Sequence, residues 1–413
     1  MTAFGLTSAA WGARVVDRTA VFLLVGLVVS ALAWPGGAAS GPISRAARPA
    51  PWMIEAGRLI GRLPMSVSVA EGGRLLYAHA GKVPRPPASN EKLLLSMTLL
   101  DRFGPAYRIP TTVEGSPPAS GSVAGDLLLV GHGDPELNDA ALERLARKLR
   151  AAGIRAVRGS VIGVTTTFTR ERWAPGWQRI ALQFVGLPTA LTFDANSGPK
   201  GFVFDPEQRA AAALTADLRA LGIRVRGPAR AGPEAAGTRV LATIWSARLV
   251  EILRRQNLNS LNLDAEVLTK MLGAAAFGLP GSIAKGARAI QRWARDQGVA
   301  VVAQDGSGLS YTNSISTNGM IQLLTAATSK PWASALRSTL ATAGQGTLAG
   351  RLLGLQVRAK TGTLFKQVSA LSGWVWRERS RRWAEFSILS RGLPKPQAVA
   401  LEDGIVSIIA KHA

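Results

Sequence analysis

Residues 86–100 constrain the fold most strongly, because they predict a buried helix with a polar N-terminus. Two prolines stiffen the approach, and Ser89 then takes the position expected for a helix N-cap ahead of an apolar run. Lys92 lies on the same helical face one turn later. A serine hydroxyl within reach of an amine is a nucleophile with its base, and a helix N-terminus stabilises a nearby oxyanion. Taken alone, however, the pair is more simply explained as an N-cap serine followed by a solvated lysine.

The Ser-x-x-Lys spacing is weak evidence by itself, because it occurs again at residues 197–200 and 282–285. The first of these copies contains Gly198 and Pro199, which prevent a clean helix start. The second copy could open a helix but lacks suitably placed polar partners in the sequence. The choice between a nucleophile and an N-cap therefore depends on motifs elsewhere in the chain.

The composition excludes several other kinds of catalytic site. The chain has no cysteine, which excludes thiol catalysis, disulfide scaffolds and zinc-finger sites. It has only three histidines and no H-E-x-x-H pattern, so a histidine-based triad or metal site is poorly supplied. It also has no G-x-S-x-G nucleophile elbow and no Walker-type lysine loop. At 413 residues, 47% of them hydrophobic, the chain is long enough for several globular domains.

The net charge of +23 indicates an anionic partner. The positive charge is dispersed and mostly arginine, since only 11 of the 49 basic residues are lysine. No basic run interleaved with aromatic residues predicts a nucleic-acid groove. We therefore expect anionic wall polymers or a membrane surface as a partner and no nucleic acid, with compositional bias as the alternative explanation.

Residues 1–39 have the pattern of a signal peptide or an N-terminal membrane anchor. Basic residues precede a continuously non-polar segment at 19–34, and small residues follow it. This segment is long for a signal peptide and slightly short for a membrane span of about 20 residues. Cleavage near Ala39 and retention as an anchor therefore both remain open, and residues 40–51 are predicted to form a linker. The expected location is the extracytoplasmic cell envelope.

Periodicity and turn residues divide the rest of the chain into two parts. Residues 52–110 and 238–413 are predicted to form one domain, and residues 111–237 a smaller α+β domain inserted in it. The predicted elements of the larger domain are hairpin strands at 65–70 and 74–79, helices at 246–255, 264–277, 283–297, 317–328, 332–341 and 398–409, a polar loop at 256–262, and strands at 357–361, 368–376 and 383–390. Those of the insert are a strand that runs into a turn over 125–135, helices at 140–152 and 207–221, and strands near 160–164 and 201–204.

A second polar motif ends the strand predicted near residue 360, where the sequence is Lys360-Thr361-Gly362-Thr363. It supplies an ammonium group, two hydroxyls and a glycine that lets a substrate backbone approach closely. These groups can hold a carboxylate and orient an acyl group beside a nucleophile. The alternative is a strand that finishes in a polar turn, but a chance Lys-Thr-Gly is expected in only roughly one chain in ten of this length.

The third motif is Ser260-x-Asn262, in the predicted polar loop. Its hydroxyl can pass a proton, and its amide can bind a substrate carbonyl. Ser-x-Asn occurs again at residues 316–318, so this motif is also weak by itself. The order of the three motifs, at a helix start, an interhelical loop and a strand, overturns the simpler interpretation of Ser89.

The ordered trio resembles that of β-lactamases and penicillin-binding proteins, in which the middle motif is Ser-Asp-Asn. The chain is similar to class C low-molecular-mass penicillin-binding proteins, the D-alanyl-D-alanine carboxypeptidase/endopeptidase family. The likeness covers residues 54–410, including segments at 87–93, 125–137, 174–177, 305–310 and 359–373. It implies a multi-domain α/β fold. A serine β-lactamase/transpeptidase-like catalytic domain, with an antiparallel sheet flanked by helices, would carry one inserted smaller α+β domain.

The resemblance also implies a mechanism on peptidoglycan stem peptides. Ser89 would attack the carbonyl between the two terminal D-alanines, and Lys92 would take its proton. Ser260 would relay a proton to the leaving amine, while Asn262 would hold the substrate amide. No metal or cofactor would be needed, and β-lactam antibiotics would acylate the same serine.

The strand motif would bind the substrate. By resemblance, Lys360, Thr361 and Thr363 would hold the terminal carboxylate beside Gly362. The backbone N–H groups of Ser89 and Thr363 would form the oxyanion hole. Carboxypeptidase and cross-link endopeptidase activities both fit these roles.

Two departures from the family pattern leave alternatives open. Leu261 stands where the family usually has aspartate, which is expected to affect loop support more than chemistry. The segment between Ser89 and Ser260 is shorter than in three-domain members, which implies that a further nested domain is missing. The alternatives are a catalytically weak relative that acts as a cell-wall-binding scaffold, and an esterase or β-lactamase on the same fold.

Overall fold

The computed structural model describes residues 49–412. Its helices are α1 (Pro51–Ile60), α2 (Glu91–Phe103), α3 (Asp139–Ala151), α4 (Pro206–Ala220), α5 (Leu249–Asn259), α6 (Asn262–Phe277), α7 (Ile283–Asp296), α8 (Thr317–Thr328), α9 (Ala333–Ser338) and α10 (Lys395–His412). Its strands are β1 (Met65–Glu71), β2 (Arg74–His79), β3 (Arg108–Gly115), β4 (Ser122–Val123), β5 (Leu127–Gly131), β6 (Ala156–Val157), β7 (Val161–Val164), β8 (Ser197–Gly198), β9 (Gly201–Phe202), β10 (Arg224–Val225), β11 (Arg230–Gly232), β12 (Arg239–Arg248), β13 (Val357–Leu364), β14 (Val368–Arg377) and β15 (Arg382–Arg391).

The N-terminal segment predicted to be a signal peptide or anchor, residues 1–39, lies outside the described residues. Most of the predicted linker does so as well. Among the helices of residues 49–412, none combines the length and the apolar character needed to cross a membrane.

The larger sheet is antiparallel, with the strand order β13-β14-β15-β1-β2. Alternate residues of β14 point to opposite faces. Leu371 and Val375 pack with α1 and α10 on one face, whereas Ala370 and Trp374 pack with α2 and its neighbouring helices on the other. Burial on both faces explains the apolar sequence of these strands and produces the expected helix–sheet–helix layering.

The second sheet is mixed, with the order β11-β7-β5-β3-β12. Helices α3 and α4 cover one of its faces, where Leu145 and Leu214 pack among apolar strand residues. A small parallel sheet, β10-β6-β4, adjoins this core. Strands of the mixed sheet run from Arg108 to Arg248, beyond the predicted insert at both ends. The division into a catalytic domain and an insert stays a prediction.

The predicted hairpin at β1 and β2 and the predicted helix α3 are confirmed. The helix predicted at 246–255 is wrong at its start, because β12 continues to Arg248. The strand predicted at 201–204 is shorter, since only Gly201–Phe202 pairs with another strand. These differences fall at element ends.

The predicted polar loop at 256–262 is largely helical, because α5 continues through Asn259. Asn257 is buried, and its side-chain amide donates hydrogen bonds to Ser96 Oγ at 3.1 Å and Thr339 Oγ1 at 3.0 Å. The segment was predicted to be a loop because its residues are polar, but polar residues such as Asn257 are buried in the helix.

Candidate active site

Ser89 lies in a tight turn before α2. The residues Ala88–Asn90 form a 3-10 turn, and Ala88 has a φ of +48°. The prediction that Ser89 caps the helix is wrong, because its side chain makes no capping hydrogen bond there. Its Oγ instead accepts a hydrogen bond from Lys92 Nζ at 3.2 Å. The turn therefore leaves the hydroxyl available to the lysine.

Two glycines lie against the turn that holds Ser89. A Cβ atom on Gly308 would lie 1.9 Å from Ala88 O, and Gly308 also has a φ of +83°. A Cβ atom on Gly362 would lie 2.8 Å from Pro87 O and 3.0 Å from Ser89 N. Both positions need glycine because main chain meets main chain there. The glycine of Lys-Thr-Gly is thus required by the nucleophile's turn itself.

Lys92 is fully buried and lies at the centre of the site. Its Nζ donates to Asn262 Oδ1 at 2.8 Å and to Ser307 O at 2.5 Å, in addition to Ser89 Oγ. Burial lowers the pKa of Lys92 to about 8, against the opposing effect of Asp305 and neighbouring carboxylates. This shift makes the neutral amine accessible near neutral pH.

The elbow between α5 and α6 carries the second motif. Ser260 ends α5 in the left-handed conformation, with a φ of +57°, and Asn262 begins α6. Ser260 Oγ accepts a hydrogen bond from Lys360 Nζ at 3.0 Å. Leu261 occupies the N-cap position of α6 and supplies no side-chain cap. The elbow thus brings Ser260 and Asn262 to the two lysines.

Lys360 is fully buried behind Ser260. Its Nζ also donates to Thr361 O at 2.9 Å. Burial lowers the pKa of Lys360 well below its usual value, and the nearby ammonium groups of Lys92 and Lys395 act in the same direction. Lys360 is therefore connected to the cleft by its hydrogen bond to the Ser260 hydroxyl.

A buried acidic pair holds the loop that contacts Lys92. Glu266 Oε1 accepts hydrogen bonds from the backbone N–H groups of Ser307, at 2.8 Å, and Gly306, at 3.2 Å. Burial raises the pKa of Glu266 to about 8. Asp305 accepts hydrogen bonds from Trp177 Nε1, Gly308 N, Ser310 N and Asn313 Nδ2. These contacts fix the position of Ser307 O.

Glu266 and the role of Asp305 were not predicted from the sequence, which indicated only a turn at Asp305. Glu266 lies about one helical turn after Asn262 and is fully buried. The available indication was an acidic residue directly among the apolar residues Ala265, Val267 and Leu268.

A cleft of about 260 Å³ opens in front of the nucleophile. Its polar lining includes Ser89, Ser260, Asn262 and Thr363, whereas Thr361 is buried in β13. The remaining lining is mostly apolar or aromatic and was not identified from the sequence: Ile180, Ala181, Phe184, Leu309, Tyr311, Leu364 and Phe365.

Phe184 connects this apolar lining to the polar centre. Its ring centroid lies 5.4 Å from that of Phe365. Its carbonyl oxygen accepts a hydrogen bond from Asn262 Nδ2 at 3.2 Å. The orientation of Asn262 is therefore fixed from both sides, by Lys92 and by Phe184.

The Ser-x-x-Lys copy at residues 282–285 forms an ordinary helix N-cap, whereas Ser197 of the other copy lies in β8. Ser282 is the N-cap of α7, and its Oγ accepts a hydrogen bond from Lys285 N at 3.1 Å. Within residues 49–412, no cluster of histidine or acidic side chains is arranged to hold a metal ion.

The layered fold, the serine–lysine turn, the Ser-x-Asn elbow and the Lys-Thr-Gly strand together define a serine hydrolase of the β-lactamase and penicillin-binding protein class. The chain belongs to the D-Ala-D-Ala carboxypeptidase 3 (S13) family, whose model matches residues 54–200 and 199–412. The family inferred from the three motifs is thus confirmed.

Individual relatives cover most of the chain. The D-alanyl-D-alanine carboxypeptidase of Actinomadura sp. (strain R39) is 28% identical, over 83% of this chain and 80% of its own length. Carboxypeptidase DacB of Mycolicibacterium smegmatis is 27% identical, over 80% of this chain and 76% of its own length. The crystal structure of penicillin binding protein 4 from Haemophilus influenzae superposes with a TM-score of 0.75 at 20% identity, covering 87% of this chain and 100% of that one. The structural match confirms the predicted fold class.

Proposed function

We propose that this protein is an exported serine D-alanyl-D-alanine carboxypeptidase/endopeptidase that acts on peptidoglycan stem peptides. The observation that carries the proposal is the position of Lys92 Nζ, which bonds Ser89 Oγ at 3.2 Å and Asn262 Oδ1 at 2.8 Å. A buried amine beside a hydroxyl at the wall of a cleft is the arrangement that activates a serine nucleophile.

Acylation begins when Ser89 Oγ attacks the carbonyl carbon of the penultimate D-alanine. Lys92 takes the hydroxyl proton as the oxygen–carbon bond forms, and Asn262 orients the substrate amide. The backbone N–H groups of Ser89 and Thr363 stabilise the oxyanion, an effect worth about 3–4 kcal/mol per donor in other enzymes. The carbon–nitrogen bond then breaks, and the proton held by Lys92 is relayed through the Ser260 hydroxyl to the leaving amine, which returns Lys92 to its neutral form.

Substrate binding and deacylation complete the cycle. Thr363 lies at the cleft and binds the terminal carboxylate, while Thr361 and Lys360 support it from the buried strand. Water then attacks the acyl-enzyme and its proton passes to Lys92. The ester bond to Ser89 breaks, and Lys92 returns that proton to Ser89 Oγ. A β-lactam ring opens in the same acylation step, but its nitrogen stays attached to the acyl group. No leaving group departs from the site, so the adduct persists.

The same proposal places the protein in the cell envelope. The family membership and the hydrophobic segment at residues 19–34 support this location. Peptidoglycan and β-lactams are the partners at the cleft. The charge of +23 supports a second, anionic partner, either a wall polymer or the membrane surface.

Release of D-alanine tests the function directly. An acyl-D-alanyl-D-alanine peptide and a cross-linked muropeptide are each incubated with the purified protein, and products are separated by mass. We expect D-alanine from the first substrate, cleaved cross-links from the second, or both. Binding to sacculi with no product from either substrate would favour the scaffold alternative.

The acylation rate is expected to rise with pH. Lys92 must be neutral to accept a proton, and its pKa is about 8. Below that pH the neutral fraction grows about tenfold per unit, and above it the fraction levels off. Stopped-flow acylation by a chromogenic cephalosporin from about pH 6 to pH 9 should therefore rise and reach a plateau. A rate that is flat or falls across this range would contradict a lysine base.

Leu261→Asp is expected to stabilise the protein without changing its chemistry. Aspartate at the N-cap of α6 would accept a backbone hydrogen bond that Leu261 cannot, which is worth about 1 kcal/mol. Urea unfolding should show this gain, whereas Leu261→Ala should not. A loss of acylation in Leu261→Asp would instead show that the leucine takes part in substrate binding.

A further inference from the structure

The small parallel sheet β10-β6-β4 bears a groove of about 510 Å³ on its surface. Four arginines line it, Arg155, Arg158, Arg224 and Arg226, together with the hydroxyl-bearing residues Ser120 and Ser122. Among the residues that the structure describes, no acidic side chain contributes to this lining. The groove is therefore strongly positive and offers hydrogen-bond donors.

Three of these arginines share one face of the sheet. Val123, Val157 and Val225 are aligned across the strands and point into the core of the α+β region. Side chains alternate along a strand, so Arg224 and Arg226 point away from that core. Arg158, one residue beyond Val157, does so as well.

Backbone hydrogen bonds place Arg158 beside Arg226. Arg226 N donates to Val157 O at 3.1 Å, and Gly227 N donates to Gly159 O at 2.8 Å, which continues the parallel alignment. Neighbouring strands are separated by about 4.8 Å. Like charges directly opposite on adjacent strands are destabilising, so this pair lowers the stability of the free protein.

The three outward arginines, Arg158, Arg224 and Arg226, are exposed and form no ion pair or side-chain hydrogen bond within residues 49–412. Arg155 differs, because its guanidinium donates to Arg150 O at 2.9 Å and to Ile154 O at 3.1 Å. Arg155 therefore supports the end of α3, whereas the other three are available to a ligand.

We propose that this arginine groove binds a phosphodiester-linked anionic polymer of the cell envelope. Guanidinium groups match phosphate oxygens in paired hydrogen bonds, and several in a row suit a ligand with repeated charges. Binding would remove the repulsion between Arg158 and Arg226. The proposal rests on the envelope location given under the proposed function.

The shape and composition of the groove favour a polymer over a membrane. A groove encloses a strand-like ligand, whereas a bilayer presents a broad surface. Peripheral membrane binding also uses apolar side chains that enter the lipid. None of the large exposed apolar side chains in residues 49–412 lies in β4, β6 or β10.

Binding to purified poly(glycerol phosphate) tests the proposal, measured by calorimetry with the whole protein at about 150 mM salt. The variant Arg158→Ser/Arg224→Ser/Arg226→Ser is expected to bind at least about tenfold more weakly than the wild type. A matched control, Arg62→Ser/Arg295→Ser/Arg379→Ser, removes the same charge from exposed arginines elsewhere and should bind within about twofold of the wild type.

Penicillin acylation of each variant is measured in parallel and should be unchanged, which shows that both are folded. If the groove variant fails this control, Arg158→Lys/Arg224→Lys/Arg226→Lys keeps the charge and should still bind more weakly than the wild type. Equal loss in the serine variant and its control, binding only to phosphatidylglycerol vesicles, or no binding by the wild type would overturn the proposal. A wild type that binds the polymer but forms no penicillin adduct would instead refute the hydrolase.

Discussion

Ser89→Ala is expected to abolish the covalent adduct that the wild type forms with a penicillin. Ser89 Oγ is the hydroxyl bonded by the buried Lys92 and lies at the cleft, and alanine removes the atom to which the acyl group would be attached. Intact-mass analysis after incubation should show one added penicillin on the wild type and none on the variant. D-alanine release should fall to the background rate.

Ser282→Ala is the matched control, because Ser282 begins another Ser-x-x-Lys sequence. Its hydroxyl caps α7, so its loss should cost about 1 kcal/mol of stability. The Ser282→Ala variant should form the penicillin adduct as the wild type does. A penicillin adduct on Ser89→Ala would assign acylation to another residue. The absence of an adduct on folded wild-type protein would count against hydrolase activity.

Lys92→Met is expected to slow acylation by roughly two to four orders of magnitude, the usual contribution of a general base. Methionine retains most of the apolar volume but cannot accept the proton of Ser89. It also leaves Ser307 O and Asn262 Oδ1 without their donor. Acylation rates from mass spectra and melting temperatures separate the chemical effect from the loss of stability.

Lys270→Met provides the comparison for stability. Lys270 is also fully buried, and burial lowers its pKa to about 8. Its Nζ donates to three backbone carbonyl oxygens, those of Thr169, Glu171 and Pro188. Lys270→Met should lower the melting temperature but acylate at nearly the wild-type rate. Equal slowing in both variants would show that Lys92 acts through stability alone.

The three motifs predicted the centre of the site because each places its polar residues a few positions apart, at the end of a helix or strand. Ser89 and Lys92 lie one helical turn apart, so local geometry alone brings them together. The contacts of Lys92 with Asn262 and of Lys360 with Ser260 depend on long-range packing. The order of the motifs predicted that these residues belong together, but their distances follow only from the fold.

The parts that sequence reasoning missed are those where burial contradicts composition. Asn257 is buried and hydrogen-bonded, yet its polarity suggested a loop. Glu266 is buried in α6 and binds backbone N–H groups of the loop that contacts Lys92. Phe184 approaches the site from a segment without regular periodicity, so no pattern related it to Asn262. Each depends on a tertiary partner that the local sequence does not specify.

The glycines beside Ser89 limit how the specificity of this protein can evolve. The backbones of Gly308 and Gly362 lie against the turn that holds Ser89. A larger residue at either position would collide with that turn. Few substitutions at these two glycines are therefore compatible with a folded active site. Descendants that acquire a new acyl preference, or escape an inhibitor, would have to change the apolar lining of the cleft, to which Ile180, Phe184 and Phe365 contribute. The substitutions that distinguish such lineages should accumulate in that apolar lining.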